Sequence, residues 1–349
     1  MDLKEIILKL TNNHGVSGRE ENIKEIIRKI VEPISDKVWT DKLGNLFALK
    51  EGKSKDKKRF LISAHMDQIG MIVLKIEENG IIKFHSLGGI NPLTLGGTPV
   101  IIHGKEKLYG VIGLRPPHIA REGEAGKIGN MKELYIDTGY TRKELKDKVQ
   151  TGDIITYDFE TEILFDKYPM GQAMDNRAGC LTLIAMLDRL QIIKNRHDVI
   201  AMFSVQEEVG LRGAKVGTYS VEADFGAALD VTFADPIADQ RDTIKFNDPG
   251  FGLDKGPNFC PKLREQFVKI MDDESIPYQD CLAPYPGGTD AYMMQIINGG
   301  IPVLGIDIPL KYMHTPTEFV NLTQISNAAR ALAIASALIE FPCSEEVIK

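Results

Sequence analysis

Apolar residues run along this chain in two rhythms. Short continuous runs, such as Phe60-Leu61-Ile62 and Val199-Ile200-Ala201-Met202-Phe203, are brief and partly β-branched or aromatic, which predicts buried strands. Ile23, Ile26, Ile27, Ile30 and Val31 recur instead at helical spacing and predict a helix with one apolar face. Residues 1–31 read as helical throughout, with Ser17 and Glu20 forming an S-x-x-E capping box. Residues 39–49 read as a strand pair around a turn at Leu43-Gly44-Asn45. The strand over 59–64 ends in His65-Met66-Asp67.

The rhythm changes from about Gln68 to Phe165. Short β-like segments follow one another there (71–74, 81–84, 100–102, 108–112) with Gly and Asn between them, which predicts a small β-barrel or sandwich. An isolated domain of this kind has sheet edges that need covering. Residues 115–130, rich in Pro, Gly and charge, read as a mobile loop. After Asp166 strands and helices alternate: helix 176–192, a strand ending at Ser204, helix 211–219, strand 225–230, helix 261–272, strand 301–306 and helix 322–341. That alternation predicts an α/β fold whose mostly parallel sheet carries helices on both faces. The expected division is one α/β domain, residues 1–67 and 166–349, interrupted by a β-rich insert at 68–165.

Composition narrows the function. With 349 residues, 43% hydrophobic and 26% charged, the chain has the makeup of a globular protein with a large core. A net charge of −7 offers no basic surface for nucleic acid, and no apolar run is long enough to cross a membrane. The opening Met1-Asp2-Leu3-Lys4-Glu5 reads as amphipathic helix, unlike a signal peptide's apolar stretch. Four scattered cysteines (Cys180, Cys260, Cys281, Cys343) form no Cys-x-x-Cys pair, which argues against a disulfide framework and points to the reducing cytoplasm.

The candidate chemistry collects at the ends of predicted strands. Glu207 and Glu208 follow the strand that ends at Ser204, and side chains that alternate along a strand would let one bind a cation while the other stays free as a base. Adjacent carboxylates beside a buried strand are costly unless a cation or proton offsets them. His65 and Asp67 end one strand, Asp230 another, Asp175 opens a helix, and His314 lies beyond the strand over 301–306. The carboxyl ends of parallel strands share one edge of an open sheet, and ligands bind there. Imidazole nitrogens with carboxylate oxygens and no thiolate suit Zn²⁺, Co²⁺ or Mn²⁺. Each residue also has a plainer use: Asp175 as a helix cap, His65 and Asp67 as a hydrogen-bonded pair, Asp230 as a turn residue, His314 as a loop histidine, Glu207-Glu208 as a solvated pair. His14, His85, His103 and His197 read as surface or packing residues, as does His118.

Taken together, the chain resembles the M42 family of di-metal aminopeptidases, the glutamyl and leucyl aminopeptidases that form tetrahedral particles. The likeness rests on Ala64-His65-Met66-Asp67, Met174-Asp175-Asn176-Arg177, Gln206-Glu207-Glu208-Val209-Gly210, Asp230-Val231-Thr232, Gly287-Gly288-Thr289-Asp290 and Tyr312-Met313-His314-Thr315. It implies a zinc-peptidase-like sheet and two divalent metal ions per subunit. Asp175 would bridge them, His65 and Asp230 would complete one site, and Glu208 and His314 the other. Glu207 would act as the catalytic base on a metal-bridged water and Asp67 as the support behind His65. The resemblance also implies a cis peptide bond after Asp175, short peptides as substrates, and dimers that assemble through the insert into a dodecamer. Gln68 and Lys311 stand where relatives carry Glu and Arg.

Three other readings compete. A non-catalytic metal- or peptide-binding scaffold would require one of the five ligands or Glu207 to be missing, and all are present. M20-type carboxypeptidases and deacylases share a similar ligand order, but their extra domain falls between the fourth ligand and the last His. Here 84 positions separate Asp230 from His314 and 110 separate His65 from Asp175, so the insert lies between the first and second ligands. A glycoside hydrolase of cellulase type would need two carboxyls facing each other across a sugar, whereas Glu207 and Glu208 are adjacent. A single Trp also leaves few platforms for sugar stacking.

Overall fold

A computed structural model describes residues 1–114, 131–234, 244–284 and 287–340. The chain opens with α1 (Leu3–Thr11) and α2 (Glu21–Val31), then β1 (Lys37–Thr40), β2 (Leu46–Lys50) and β3 (Arg59–His65). Next come β4 (Gly70–Ile76), β5 (Ile82–Leu87), β6 (Pro99–His103), β7 (Lys107–Gly113), β8 (Tyr135–Asp137), the short α3 (Arg142–Leu145) and β9 (Ile154–Tyr157). A hairpin of β10 (Glu162–Leu164) and β11 (Tyr168–Gly171) leads to α4 (Met174–Arg189), β12 (Asp198–Ser204), α5 (Arg212–Val221) and β13 (Phe225–Phe233). The remainder is β14 (Phe251–Lys255), α6 (Pro261–Asp273), β15 (Tyr278–Leu282), α7 (Asp290–Met294), β16 (Val303–Leu310), β17 (Glu318–Phe319) and α8 (Leu322–Leu338).

Eight strands form one sheet in the order β1-β2-β12-β3-β13-β16-β14-β15. Its centre, β12-β3-β13-β16, is parallel, and β14-β15 is a parallel pair joined antiparallel to β16. The two-residue alternation of a strand divides the core between two faces. Phe60, Ile62, Val199, Ala201 and Phe203 pack with α1, α2, α4, α6 and α8; Leu61, Ile200 and Met202 pack on the other side with residues of α5 and α7. The expected mostly parallel sheet with helices on both faces is therefore what forms.

The insert's strands close into a barrel, β4-β5-β8-β7-β6-β9. On β7, Leu108 and Ile112 face the barrel core while Tyr109 and Val111 point outward and are 62% and 48% exposed. Closure removes the sheet edges expected to need covering, because every strand has two neighbours.

Other differences have local causes. Residues 12–20 break the helix expected over 1–31; Val16 bridges to Gln68 there. Ser17 and Glu20 form no capping box: Glu20 is itself the N-cap residue of α2, with no side-chain cap bond. Ser17 Oγ instead donates to Asp67 Oδ2 at 2.6 Å. β16 starts at Val303 and runs to Leu310, past the expected end at Ile306. β15 (Tyr-Gln-Asp-Cys-Leu) escapes sequence reading because it is an edge strand with little burial and no apolar alternation. The loop at 115–130, His118 within it, and Phe341 lie outside the described residues.

Candidate active site

β3, β12, β13 and β16 end at the same edge of the sheet, and their terminal segments bring His65, Glu207, Glu208 and Asp230 together there. Asp175 enters from the first turn of α4 and His314 from the loop after β16. His65 Nε2 lies 3.1 Å from Asp175 Oδ1, 3.8 Å from Asp230 Oδ1 and 3.9 Å from Glu207 Oε2. His314 Nε2 lies 3.3 Å from both Asp175 Oδ2 and Glu208 Oε1. The two oxygens of Asp175 thus face one imidazole each, the disposition of a carboxylate that joins two centres. Asp175 does not cap its helix: its backbone is non-helical (φ −77°, ψ 105°), and Asn176 Oδ1 accepts from Gly179 N at 2.9 Å instead. The Asp175-Asn176 peptide bond is cis.

Both imidazoles are held in one orientation by acceptors that must receive a proton. His65 Nδ1 faces the Asp67 carbonyl at 3.1 Å and His314 Nδ1 the Gly89 carbonyl at 2.6 Å. Each Nδ1 therefore carries hydrogen, which leaves Nε2 as the atom aimed at the carboxylates. Asp67 supports His65 through this backbone carbonyl; its carboxylate, 3.6 Å from Nδ1, is engaged elsewhere. It accepts from Ser17 Oγ, Glu207 N (3.0 Å) and Glu208 N (3.3 Å).

Those last two bonds revise the expected origin of the Glu207–Glu208 divergence. The pair lies in a turn after β12, not on the strand, and Gln206 before it has φ 56°. Asn45 Oδ1 accepts from Val205 N (3.0 Å), Glu20 Oε1 accepts from Gln206 N (3.3 Å), and Asp67 accepts from both glutamate amides. Left-handed backbone at Ala173, Gln206, Tyr312 and His314, in three of the site segments, is unfavourable for residues with a Cβ and concentrates where function is built.

The electrostatics show what the arrangement requires. Burial by itself would lower the pKa of His314, but hydrogen bonds to Asp175 and Glu208 outweigh it and push it up to about 11. For His65 burial likewise opposes protonation, yet the Glu207 charge and the Asp175, Asp230 and Asp67 contacts raise its pKa well above the ordinary value. Burial raises Glu207 strongly, helped by Asp230, Asp290 and Glu208, and Asp230 rises to about 6 mainly through burial. Without other cations, protons alone balance the carboxylates. Glu208 Oε1 is buried and faces His314 Nε2 at 3.3 Å. Two sets of donors, His65-Glu207-Asp230 and His65-Asp175-Glu208, each lie within 4.8 Å of one another. Nitrogen and oxygen donors in close groups, with fixed tautomers, fit divalent cations.

Sequence reasoning missed a supporting layer. Buried Glu318 accepts from His314 N (2.7 Å) and Asp175 N (3.2 Å), so one carboxylate fixes two facing segments; β17 pairing with β11 places it there. Asp290, also buried, accepts from Ser63 and Ser204 beneath the cluster. Arg177 is fully buried and donates to the Leu10 and Asn13 carbonyls and to Gln68 Oε1. Gly88 and Gly89 permit the close approach of the insert: a Cβ on Gly89 would stand 3.0 Å from His314 Nδ1, and one on Gly88 3.2 Å from Glu208 Oε2. The adjacent glycines after β5 were the readable signal. Gly89→Ala is expected to displace the His314 ring and weaken cation binding and activity by roughly 10–100-fold. Wild-type metal content and kcat/KM in that variant would refute the contact's importance. Of the histidines assigned to packing, His14 and His103 stack at 4.1 Å, and His197 Nδ1 accepts from Lys58 N.

Comparison with known proteins agrees with this geometry. The sequence profile of the M42 glutamyl aminopeptidase family matches residues 44–331. A lysyl aminopeptidase of Pyrococcus furiosus is 32% identical over 343 residues, 96% of each chain. The structure of an aminopeptidase from the archaeon Desulfurococcus kamchatkensis superposes with a TM-score of 0.88 at 33% identity, covering 95% of this chain and 93% of that one. The TET1 peptidase of Pyrococcus horikoshii, described as assembling into a tetrahedron or a large octahedral shell, superposes with a TM-score of 0.85 at 28% identity, covering 97% of this chain and all of that one.

Proposed function

The chain belongs to the M42 family of aminopeptidases and is a peptide hydrolase, and from that premise we propose that it removes N-terminal residues from short peptides with two divalent cations. The observation that carries this reading is Asp175, whose two oxygens each face a different imidazole. In the proposed arrangement Asp175 would serve both cations, His65 and Asp230 would hold one, and Glu208 and His314 would hold the other. The donor set suits Zn²⁺ or Co²⁺, with Mn²⁺ as a third candidate. When bound, such ions polarise a scissile carbonyl and lower the pKa of water.

The remaining roles belong to the chain. The Asp67 and Gly89 carbonyls hold His65 and His314 in the tautomer that presents Nε2. Asp67 also fixes the Glu207 amide, aiming a carboxylate that takes the proton of the attacking water and returns it to the leaving amine. A free carboxylate near the bound N-terminus would select the substrate's ammonium and restrict cleavage to the first bond. A glycosidase requires two opposed carboxyls roughly 5–9.5 Å apart, whereas Glu207 and Glu208 both turn toward imidazoles. The deciding experiment assays aminoacyl-p-nitroanilides and carboxymethylcellulose with stripped enzyme given Co²⁺, Zn²⁺ or Mn²⁺. Metal-restored release of nitroaniline supports the reading, and cellulose cleavage alone overturns it.

Cation binding should be linked to protons. His65 and His314 are raised above their ordinary values, so both are protonated at neutral pH in the metal-free chain. Binding must expel those protons, and apparent affinity therefore rises with pH and falls as pH drops. Below about 6, Asp230 takes up a further proton and the loss steepens. Titration calorimetry in two buffers of different ionisation enthalpy should give different heats; identical heats would contradict the linkage.

We assign residues 68–165 to subunit contacts, in dimers that assemble into a twelve-subunit particle. The closed barrel presents Leu93, Tyr109 and Val111 outward, and the Pyrococcus horikoshii relative is described as forming shells. Light scattering should report a mass near twelve chains; a monomer would remove this part of the reading. No helix among the described residues is long and apolar enough to cross a membrane. The scattered cysteines, without a Cys-x-x-Cys pair, are what favour the cytoplasm in this reading, and the net charge of −7 offers no basic surface for nucleic acid.

A further inference from the structure

A second group of metal-type donors lies one strand beyond the active site. Asp254 on β14, Cys281 on β15 and Asp307 on β16 bring a carboxylate oxygen, a thiol sulfur and a second carboxylate oxygen within 4.8 Å of one another. The register explains the meeting. Asp254 and Cys281 are direct partners in the β14-β15 pair, and Asp307 partners Gly252 across β14-β16. Asp307 also stands beside Asp230 across β13-β16, so the cluster is adjacent to the proposed active site but uses none of its residues.

Three observations mark this as a built site. Asp254 and Asp307 are each only 6% exposed, and none of the ion pairs found among the described residues involves either. The neighbouring guanidinium, Arg264, gives its Nε to the Asp254 backbone carbonyl and its Nη2 to Asp280. Asp254 Oδ1 is buried without any hydrogen-bond partner. Finally, the Asp254 carboxylate occupies space that exists only because residue 305 is glycine: a Cβ there would lie 2.1 Å from Asp254 Oδ2.

We propose that Asp254, Cys281 and Asp307 bind a third divalent cation of zinc-like character, tying β14 and β15 to β16. Two carboxylates alone would suit a harder ion, but the sulfur favours Zn²⁺ or Co²⁺. The thiol proton leaves as sulfur coordinates, and three protein donors leave one position for solvent. Cys281 is half-buried, which leaves the cation a route in.

Cobalt separates this site from the active site, whose proposed ligands include no thiolate. Full-length enzyme loaded with Co²⁺ should show a near-ultraviolet thiolate-to-cobalt charge-transfer band and three equivalents of metal by plasma mass spectrometry. Cys281→Ser should abolish the band and release one equivalent, and Asp307→Asn should weaken both. Two equivalents and no band in the wild-type enzyme would overturn the proposal, leaving the carboxylates to share a proton. A band that persists in Cys281→Ser would overturn it as well, assigning the signal to another cysteine. If the active-site reading is the one that fails, the band remains while the other two equivalents are missing.

Discussion

Asp175→Ala is expected to leave the enzyme unable to hold either active-site cation and to lower kcat/KM by roughly 10³-fold or more, since metal activation supplies several kcal/mol and each 1.36 kcal/mol is tenfold. The reason is geometric. Asp175 Oδ1 lies 3.1 Å from His65 Nε2 and Oδ2 lies 3.3 Å from His314 Nε2, so one deletion removes a donor from both positions. His314→Ala, by contrast, leaves the proposed His65-Asp175-Asp230 position intact and should cost one cation first. Metal content of the dialysed proteins tests the difference directly, and far-ultraviolet circular dichroism guards against a folding defect. Asp175→Ala protein with both cations and near-normal turnover would contradict the bridging role.

The parts of this site that could be read in the sequence are those whose neighbours along the chain announce them. His65, Glu207 and Asp230 each follow an apolar run that can only be a buried strand, and polar residues at such ends share one edge of the sheet. His314 was legible by its distance beyond a further strand, and the barrel by its Gly- and Asn-punctuated β segments. The supporting layer lacked such announcement because its partners are backbone atoms far away in sequence. Glu318 acts on the amides of Asp175 and His314, which no periodicity connects to it. Ser17 and Glu20 matched a helix-cap pattern, but Asp67 and the Gln206 amide are stronger claimants on their side chains than a helix end exposed to water. The same competition explains Asp67: three donors converge on its carboxylate, so the ring of His65 takes the backbone carbonyl instead.

That convergence underlies the second large effect. Glu207→Gln should keep both cations and reduce kcat by roughly 10²–10⁴-fold, the usual contribution of a positioned general base. The amide of residue 207 still donates to Asp67, so the turn and its neighbour Glu208 should stay in place. Gln is close in size to Glu and fills the same buried space, but it cannot accept the proton. KM should change little, because the lost interaction belongs to the transition state. Burial and the nearby charges of Asp230, Asp290 and Glu208 raise the proton affinity of Glu207, while bound cations would draw it back toward the working range. Because the base must be unprotonated to act, the acid limb of the wild-type kcat/KM profile should fade in the variant as pH falls. Retained metal with near-normal kcat would exclude Glu207 as the base and transfer the role to another carboxylate of the cluster.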